Sequence, residues 1–251
     1  MDDRKITYDI IVIGTGGTGS FFSKELSRFL YNNHHKVREL ILVDGDTIEE
    51  KNMSRQAFME EDIGQKKSVV LAEAYNTAFG LNWKAVGNYL TTQKSLKALM
   101  NSHGSMTEHR KTIIVGCVDN HACRLLVEKV FLKHNKDVFY LDSANEFSSG
   151  EVVFARKERG KVVSPVRSQI FPDVLRGDLR KVTELSCEEL NNASPQHIAV
   201  NMLAGNILLS EVCNIMEGRP HDGFVVFDAM NFSVEHFPMV TDADKQLGEA
   251  S

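Results

Sequence analysis

The chain has 251 residues, of which 42% are hydrophobic and 25% are charged, proportions that are ordinary for a globular protein. Its formal net charge of −5 argues against nucleic acid or an anionic membrane as the main partner. No apolar run approaches the roughly 18 residues of a membrane span, and the N-terminal segment MDDRKITYDI lacks an apolar signal region.

Short apolar runs alternate with helical patterns through the first 142 residues. Residues 8–13 (YDIIVI) predict a buried parallel strand that a glycine ends, and residues 18–31 place their apolar side chains on one face of a helix. The alternation predicts a doubly wound, mostly parallel Rossmann-like α/β sheet. It continues with strands at 39–43, 84–88, 112–116 and 138–142, and with helices at 66–79, 92–101 and 120–134.

The pattern changes after residue 145, where the alternation ends and an antiparallel C-terminal extension is expected. Residues 167–194 show no clear period and predict a long loop, after which Ser194 and Pro195 suit the N-cap and first position of a helix that ends near Met216. We expect one domain over 1–251, with a nucleotide-binding half at 1–145 and a second half at 146–240. The predicted strands of the second half cover 151–156, 162–166, 223–228 and 232–237, the last two forming a hairpin before an acidic tail from 241.

The segment GTGGTGS follows the first strand and opens the first helix. Gly14, Gly16 and Gly19 fit the pattern G-x-G-x-x-G, which allows a tight turn and brings the backbone close to a phosphate at a helix N-terminus. Asp44 follows the second strand, where a carboxylate accepts hydrogen bonds from ribose hydroxyls. The alternative is a tight turn without a ligand, with Asp44 acting as a cap.

The segment DGDTIEEKNMSRQAFMEEDIGQKK contains more polar groups than a nicotinamide dinucleotide needs. Arg55 can contact phosphate through two N–H groups, Lys67 supplies a compact charge, and Asn52 and Gln56 supply further donors. This set favours a triphosphate. The alternative is a solvated loop with charge pairs, which is the preferred interpretation for Lys66.

The segment GCVDNHACR follows the fourth strand. Asp119 and Asn120 therefore lie at the carboxyl end of the sheet, where ligands bind in doubly wound folds. A carboxylate beside a triphosphate suggests that Asp119 is a Mg²⁺ ligand. Alternatively, Asp119 is the N-cap of the following helix.

These motifs, in this order and spacing, resemble the ThiF/MoeB/ubiquitin-activating enzyme superfamily. The resemblance implies a domain that binds ATP and Mg²⁺ and adenylates the C-terminal glycine of a ubiquitin-like protein. By the same resemblance Asp119, Arg55 and Lys67 are catalytic, with Asp119 organising the metal. Gly16 and Gly17 would line the phosphates, and Asp44 would bind the ribose. The full nucleotide-binding set it implies is Gly14, Gly16, Gly17, Gly19, Asp44, Asp46, Asn52, Arg55, Gln56, Lys67 and Asn120.

Two departures from the superfamily pattern are visible. The paired C-x-x-C zinc ligands of many relatives are absent, and the short chain leads us to expect no appended rhodanese-like, catalytic-cysteine or ubiquitin-fold domain. The chain looks most like compact bacterial members encoded beside ubiquitin-like and ubiquitin-conjugating-like proteins. That resemblance also implies a homodimer whose sites take an arginine from the partner, for which Arg4 is the candidate.

Cys187 lies where thioester-forming relatives carry their cysteine, before Pro195 and His197. A thiolate there would take the acyl group from the adenylate. However, the three neighbouring glutamates raise the pKa of such a thiol, and an ordinary loop cysteine is the equal alternative. The remaining cysteines suit packing in a reducing cytoplasm; they are Cys117, Cys123 and Cys213.

Three other function classes stay open. One is an NAD-dependent oxidoreductase, against which Arg55, Gln56, Lys67 and Asp119 argue. Another is a related enzyme that adenylates a peptide or small acid, or modifies a tRNA base. The last is a binding scaffold without turnover, which the intact Asp119 disfavours.

Overall fold

The computed structural model describes residues 6–53, 56, 58–100, 110–176, 179–180 and 196–239. The predictions made for Arg4, Arg55, Cys187 and the acidic tail therefore lie outside the described residues.

One mixed sheet forms the centre of the molecule, with the order β3-β2-β1-β4-β5-β6-β8-β9 and with β7 paired to β6. Strands β1 to β5 are parallel, and all pairings from β5·β6 onward are antiparallel. The expected fold class, a doubly wound parallel sheet with an antiparallel extension, is thus confirmed. The strands are β1 Thr7–Ile13, β2 Val37–Val43, β3 Trp83–Val86, β4 Arg110–Gly116, β5 Val138–Asn145, β6 Ser149–Glu158, β7 Lys161–Ser164, β8 Gly223–Asp228 and β9 Ser233–Phe237.

Helices cover both faces of this sheet. Strand β1 is buried on both sides. Ile10 and Val12 pack in one apolar cluster with α1 (Gly17–Leu30) and α6 (Ile198–Met216), and Ile11 and Ile13 pack in a second with α4 (His121–Lys133). This two-sided burial explains the unbroken apolar run in the sequence. The helices are α1 Gly17–Leu30, α2 Lys67–Phe79, α3 Gln93–Met100, α4 His121–Lys133, α5 Arg167–Ile170 and α6 Ile198–Met216, with 3₁₀ turns at His34–Lys36, Glu50–Asn52, Glu60–Asp62 and Pro172–Arg176.

The segment after β7 differs from the prediction in two places. Short helical turns, α5 and Pro172–Arg176, occupy the beginning of the expected loop. Helix α6 begins at Ile198, where His197 has an extended backbone and its Nδ1 accepts the Ala199 N–H at 3.2 Å. An imidazole can cap a helix in this way, and propensity for Ser and Pro alone does not predict it. The predicted N-cap Ser194 and first position Pro195 lie outside the described residues.

Helix α6 is the one described helix that is long and apolar enough to cross a membrane by length and composition. The expectation that no segment approaches that limit was therefore wrong. Its buried positions Val200, Ala204, Leu208 and Val212 recur every four residues and pack in the cluster shared with α1. Packing within the domain thus accounts for its apolar character.

Strand β6 reverses the chain direction, and β8 reverses it again. The carboxyl end of β8 consequently lies at the same edge of the sheet as the carboxyl ends of β1, β2 and β4. The Ala229 N–H donates to the Ser148 carbonyl at 2.8 Å, which joins the β8–β9 turn to the β5–β6 turn at this edge.

Candidate active site

The four glycines of GTGGTGS have different surroundings. Gly14 has a φ of +89°, and a Cβ atom there would lie 2.6 Å from the Cys117 carbonyl oxygen; a Cβ on Gly19 would lie 2.9 Å from the Gly14 carbonyl carbon. A Cβ on Gly17 would lie 2.6 Å from Asn201 Cγ. At Gly16, by contrast, the nearest atom of the described residues would be Gln56 Nε2 at 3.9 Å. Among the described residues, the side of Gly16 at the start of α1 is therefore open enough for a Cβ atom in ordinary contact.

Asp44 ties the glycine loop to the end of β2. Its Oδ2 accepts the Thr15 N–H at 2.6 Å and the Thr15 hydroxyl at 2.9 Å, and its Oδ1 accepts the Asp46 N–H at 2.8 Å. Burial raises the pKa of Asp44, and the negative charge of Asp46 adds to that rise. The capping role considered for Asp44 is present, and ribose binding remains a prediction.

Asp46, Lys67 and Tyr89 form a charged cluster beside Asp44. Lys67 Nζ lies 2.8 Å from Asp46 Oδ2, although Lys67 is only 5% exposed, and the Tyr89 hydroxyl donates to Asp46 Oδ1. Burial alone would raise the pKa of Asp46, but the Lys67 charge and hydrogen bond outweigh it and hold the pKa below its ordinary value. The adjacent Lys66 is exposed and donates to the Gly45 carbonyl at 2.6 Å.

Asn52 and Gln56 have unlike roles. Asn52 is buried, and its Oδ1 accepts the Glu49 N–H at 2.9 Å, which closes the 3₁₀ turn Glu50–Asn52. Gln56 lies beside the open side of Gly16, and its buried Oε1 has no hydrogen-bond partner among the residues that the structure describes. The structure thus brings Gln56 to the glycine loop. The side-chain oxygen of Asn52, by contrast, already accepts a hydrogen bond from the backbone N–H of Glu49.

Asp119 is exposed just past the end of β4. The cap of α4 is Asn120, whose Oδ1 accepts the Cys123 N–H at 3.0 Å and whose Nδ2 donates to the Arg180 carbonyl at 3.0 Å. The alternative that Asp119 caps this helix is therefore wrong, and Asp119 remains an exposed carboxylate at the carboxyl end of β4.

Buried ion pairs around Asp142 hold the backbone just before Asp119 in place. Arg124 donates to the Val118 carbonyl and, at 3.0 Å, to the Ser143 carbonyl, and its Nε lies 3.4 Å from Asp142 Oδ1. The other oxygen of Asp142 pairs with Arg167 of α5. Arg124 thus holds the backbone that carries Asp119.

A cavity of about 210 Å³ lies beside the Asp46–Tyr89 hydrogen bond. Its lining is mostly apolar and comes from the ends of β2 and β3 and from α3, including Val43, Val86, Tyr89, Leu90 and Leu99. The sequence singled out none of these residues, although the position of NYL after the end of β3 was the available signal.

Comparison with known proteins identifies the family to which this chain belongs. A family model described as "ThiF family" matches residues 4–248, nearly the whole chain. The chain belongs to the ThiF family.

Two curated relatives of this ThiF chain are ubiquitin-like modifier-activating enzymes 5. The one from Oryza sativa subsp. japonica is 29% identical over 51% of the chain and 30% of its own length, and the one from Rattus norvegicus is 31% identical over 50% and 31%. The NEDD8-activating enzyme E1 catalytic subunit of Saccharomyces cerevisiae is 39% identical over 28% of the chain and 22% of its own length. The chain thus spans less than a third of the length of these relatives.

Solved structures match the ThiF chain over almost its full length. E. coli MccB with ATP has a TM-score of 0.66 and 16% identity, and it covers 96% of this chain and 66% of its own. PaaA has a TM-score of 0.63 and 16% identity over 94% of this chain and 64% of its own. At this identity both show a shared fold.

Cys117 and Cys123 of the ThiF chain pack against the two apolar clusters, as expected, whereas Cys213 is half-buried. Burial raises the pKa of both Cys117 and Cys123 to about 12, and it also raises the pKa of Cys213. Their thiolates are therefore scarce at neutral pH. Cys187, the candidate acyl acceptor, lies outside the described residues.

Proposed function

We propose that the chain binds ATP and Mg²⁺ at this edge of the sheet and adenylates the C-terminal glycine of a ubiquitin-like protein. One observation carries the proposal: the buried cation of Lys67, the open side of Gly16 and the exposed carboxylate of Asp119 follow three adjacent parallel strands at their carboxyl ends. Membership of the ThiF family supports it.

The residues present fit ATP. The apolar cavity beside Tyr89 suits the adenine ring. Asp44 accepts three hydrogen bonds, and because two carboxylate oxygens accept about four in all, it retains capacity for a ribose hydroxyl. The triphosphate would lie over Gly16, where α1 has no side-chain N-cap, and beside Lys67 and Gln56. We assign Arg55 to the same phosphates on the resemblance.

Asp119 would hold Mg²⁺ together with the phosphate oxygens. Within the described part of the chain, no cluster of three His, Cys, Asp or Glu side chains is formed that would bind a metal alone. Magnesium commonly binds one or two carboxylates and completes its shell with phosphates and water, so a single carboxylate fits. When bound, the metal neutralises charge on the phosphates.

The proposed reaction needs positioning and charge neutralisation rather than a proton transfer. A carboxylate oxygen of the acyl substrate attacks the α-phosphorus, the bond to the β,γ-phosphates breaks, and pyrophosphate leaves. Lys67 stabilises the negative charge on the phosphates, and the glycine loop holds them in line. The product is an acyl adenylate.

An exposed apolar group near this edge favours a protein as the acyl substrate. Phe232 is 94% exposed, and Met230, Phe147 and Ile198 are also exposed; we call these four residues the apolar rim. Phe232 also has a left-handed φ of +56°, which is uncommon for a bulky residue. Exposed apolar groups of this kind mark interaction sites, whereas a small acid needs none.

The test is ATP–pyrophosphate exchange that depends on a ubiquitin-like protein encoded beside this chain. We expect exchange with the intact protein and none with a form that lacks its C-terminal glycine. Exchange that is independent of the added protein, with hydroxylamine trapping a small acyl group, would instead support a small acid. A pyridine-nucleotide absorbance change without exchange would support the oxidoreductase.

We further propose that Cys187 receives the acyl group. Its thiolate sulfur would attack the adenylate carbonyl carbon, AMP would leave, and the thioester would pass to a ubiquitin-conjugating-like protein in a reducing cytoplasm. A thiol-sensitive adduct should form with the unaltered chain and disappear in Cys187→Ala. Persistence of the adduct in that variant would exclude this cysteine.

We also propose a homodimer in which Arg4 completes the partner's site. Mixing an Arg4→Ala chain with an Asp119→Ala chain should then restore exchange, since one of the two hybrid sites is intact. If neither variant gains activity from the other, each site is complete within its own chain.

A further inference from the structure

Gly17 faces a side chain, not open space. A Cβ at Gly17 would lie 2.6 Å from Asn201 Cγ and 3.1 Å from Asn201 Oδ1, whereas a Cβ at the neighbouring Gly16 would meet no atom of the described residues closer than 3.9 Å. A side chain at position 17 would therefore have to displace the buried carboxamide of Asn201, which lies against the first turn of α1.

Asn201 belongs to a buried polar trio that joins three elements. Its Oδ1 accepts the Thr18 hydroxyl at 3.2 Å and an Asn145 N–H at 3.1 Å, and Asn145 Nδ2 also lies 2.8 Å from the Thr18 hydroxyl oxygen. Thr18 is in α1, Asn145 ends β5, and Asn201 is in the second turn of α6. The trio links the glycine-loop end of α1 to the sheet and to α6.

The trio is not optimised for stability. Asn201 is fully buried, yet within the described part of the chain its Nδ2 has no hydrogen-bond partner, and neither has Asn145 Oδ1. Buried polar atoms without partners are unfavourable, and apolar side chains of similar size would avoid the penalty. The carboxamide of Asn201 is best explained by its hydrogen bonds, which fix the positions of Thr18 and Asn145.

We propose that Asn201 is a positioning residue for ATP, which acts by fixing the first turn of α1. Because Asn201 supports Gly17 and binds Thr18, it sets the direction of the N–H groups of the glycine loop, and these would hold the phosphates. It makes this contribution through the backbone, without touching the nucleotide. The inference rests on the proposed binding of ATP.

The test is a double-mutant cycle of Gly17→Ala and Asn201→Ala, read as the Kd for α,β-methylene-ATP with Mg²⁺. We expect Gly17→Ala to weaken binding about tenfold, since the new methyl group overlaps Asn201 and displaces the loop. Asn201→Ala should weaken it severalfold. In the Asn201→Ala background, adding Gly17→Ala should cost little further, because the overlapping carboxamide is gone.

Gly16→Ala is the matched control. Its methyl group would enter the open side of the loop, where the phosphates are proposed to lie, so it should weaken binding equally with and without Asn201. All variants are measured well below their unfolding temperatures, because a purely structural role would lower those temperatures but leave the Kd of the folded chain unchanged. If Gly17→Ala does not fold, we compare the Kd of the double variant with the Kd of Asn201→Ala alone.

The outcomes separate this inference from the proposed function. Equal weakening by Gly17→Ala in both backgrounds, or an unchanged Kd in Asn201→Ala, overturns the role of Asn201 while ATP binding stands. Absence of α,β-methylene-ATP binding by the unaltered chain overturns the proposed function, and this inference with it.

Discussion

Asp119 and Asn120 are neighbours in sequence, but the fold gives them separate tasks. Asn120 closes the N-terminus of α4, so Asp119 is not needed for the helix. Asp119→Asn is therefore expected to change the free energy of unfolding by less than about 0.5 kcal/mol, measured by urea denaturation. In the same variant, pyrophosphate exchange should fall by about 100-fold or more, as charge-stabilising groups commonly contribute that much.

Glu60→Gln is the control for this prediction, since Glu60 is also an exposed carboxylate but lies in the 3₁₀ turn Glu60–Asp62. Its exchange rate should equal that of the unaltered chain. Exchange at the normal rate in Asp119→Asn would remove Asp119 from the mechanism.

Lys67 gives a pH-dependent prediction. It holds the pKa of Asp46 below its ordinary value, and an acid with a lowered pKa contributes stability above its unfolded pKa that is lost as pH falls through the folded pKa. Lys67→Met should therefore be less stable at pH 7 by at most about 1 kcal/mol, a figure discounted for solvent screening because the Asp46 side chain is 43% exposed. As the pH falls through the lowered folded pKa of Asp46, the two unfolding free energies should converge.

Lys51→Met is the control for Lys67→Met, because Lys51 pairs with Glu49 and both side chains are more than half exposed. It should show no such pH dependence. A constant difference between Lys67→Met and the unaltered chain at all pH values would mean that the lost interaction is not the ion pair.

At the level of elements, the cap of α4 gives a prediction of stability alone. Asn120→Ala removes the acceptor of the Cys123 N–H and should cost about 1 kcal/mol, whereas Asn120→Asp keeps an acceptor and should cost clearly less. Urea unfolding of the two variants measures the difference. Equal losses would indicate that the bond from Asn120 Nδ2 to the Arg180 carbonyl contributes more than the cap.

The strands and long helices were predictable because each repeats one simple pattern. Buried parallel strands such as β1 read as apolar runs, and the glycine loop marks the change from strand to helix. The start of α6 was not predictable, because it depends on the particular backbone conformation of His197. Propensities rank residue types, and they carry no information on the tertiary contacts that select among neighbouring caps.

The candidate site was predictable to a similar extent. Motif spacing brought Lys67 and Asp119 to one edge, yet it did not distinguish the capping task of Asn120 from that of Asp119. It also missed Asn201, which is distant in sequence and meets Gly17 only when α6 packs on α1. Contacts between distant segments leave no local pattern in a single sequence.

At the scale of the whole molecule, the apolar rim predicts opposite effects on stability and on activity. Phe232→Gly removes a left-handed backbone strain of about 1 kcal/mol and should raise the unfolding free energy. It should also raise the KM for the ubiquitin-like protein by about tenfold, the value of one well-placed aromatic anchor, while the Kd for ATP stays constant. Exchange kinetics and urea unfolding measure the two effects.

Arg159→Gly is the matched control, since Arg159 also has a left-handed φ, of +49°, but lies in the turn between β6 and β7 at the opposite edge of the sheet. It should gain stability without any change in KM. If Phe232→Gly leaves the KM unaltered, the rim does not contact the substrate.

Strand β6 runs antiparallel to β5, and β8 runs antiparallel to β6, so β8 again points in the direction of the parallel strands. This topology affects how domains of this kind can acquire new substrates. It delivers residues 229–232 to the nucleotide edge on a hairpin that shares no backbone segment with the glycine loop or with the Asp119 turn. With ATP bound at this edge and the acyl substrate bound by the apolar rim, as we propose, recognition and energy coupling would be carried by separable parts of the chain. Grafting a different turn onto β8 and β9 should redirect the domain to a new acyl donor while its chemistry is inherited unchanged.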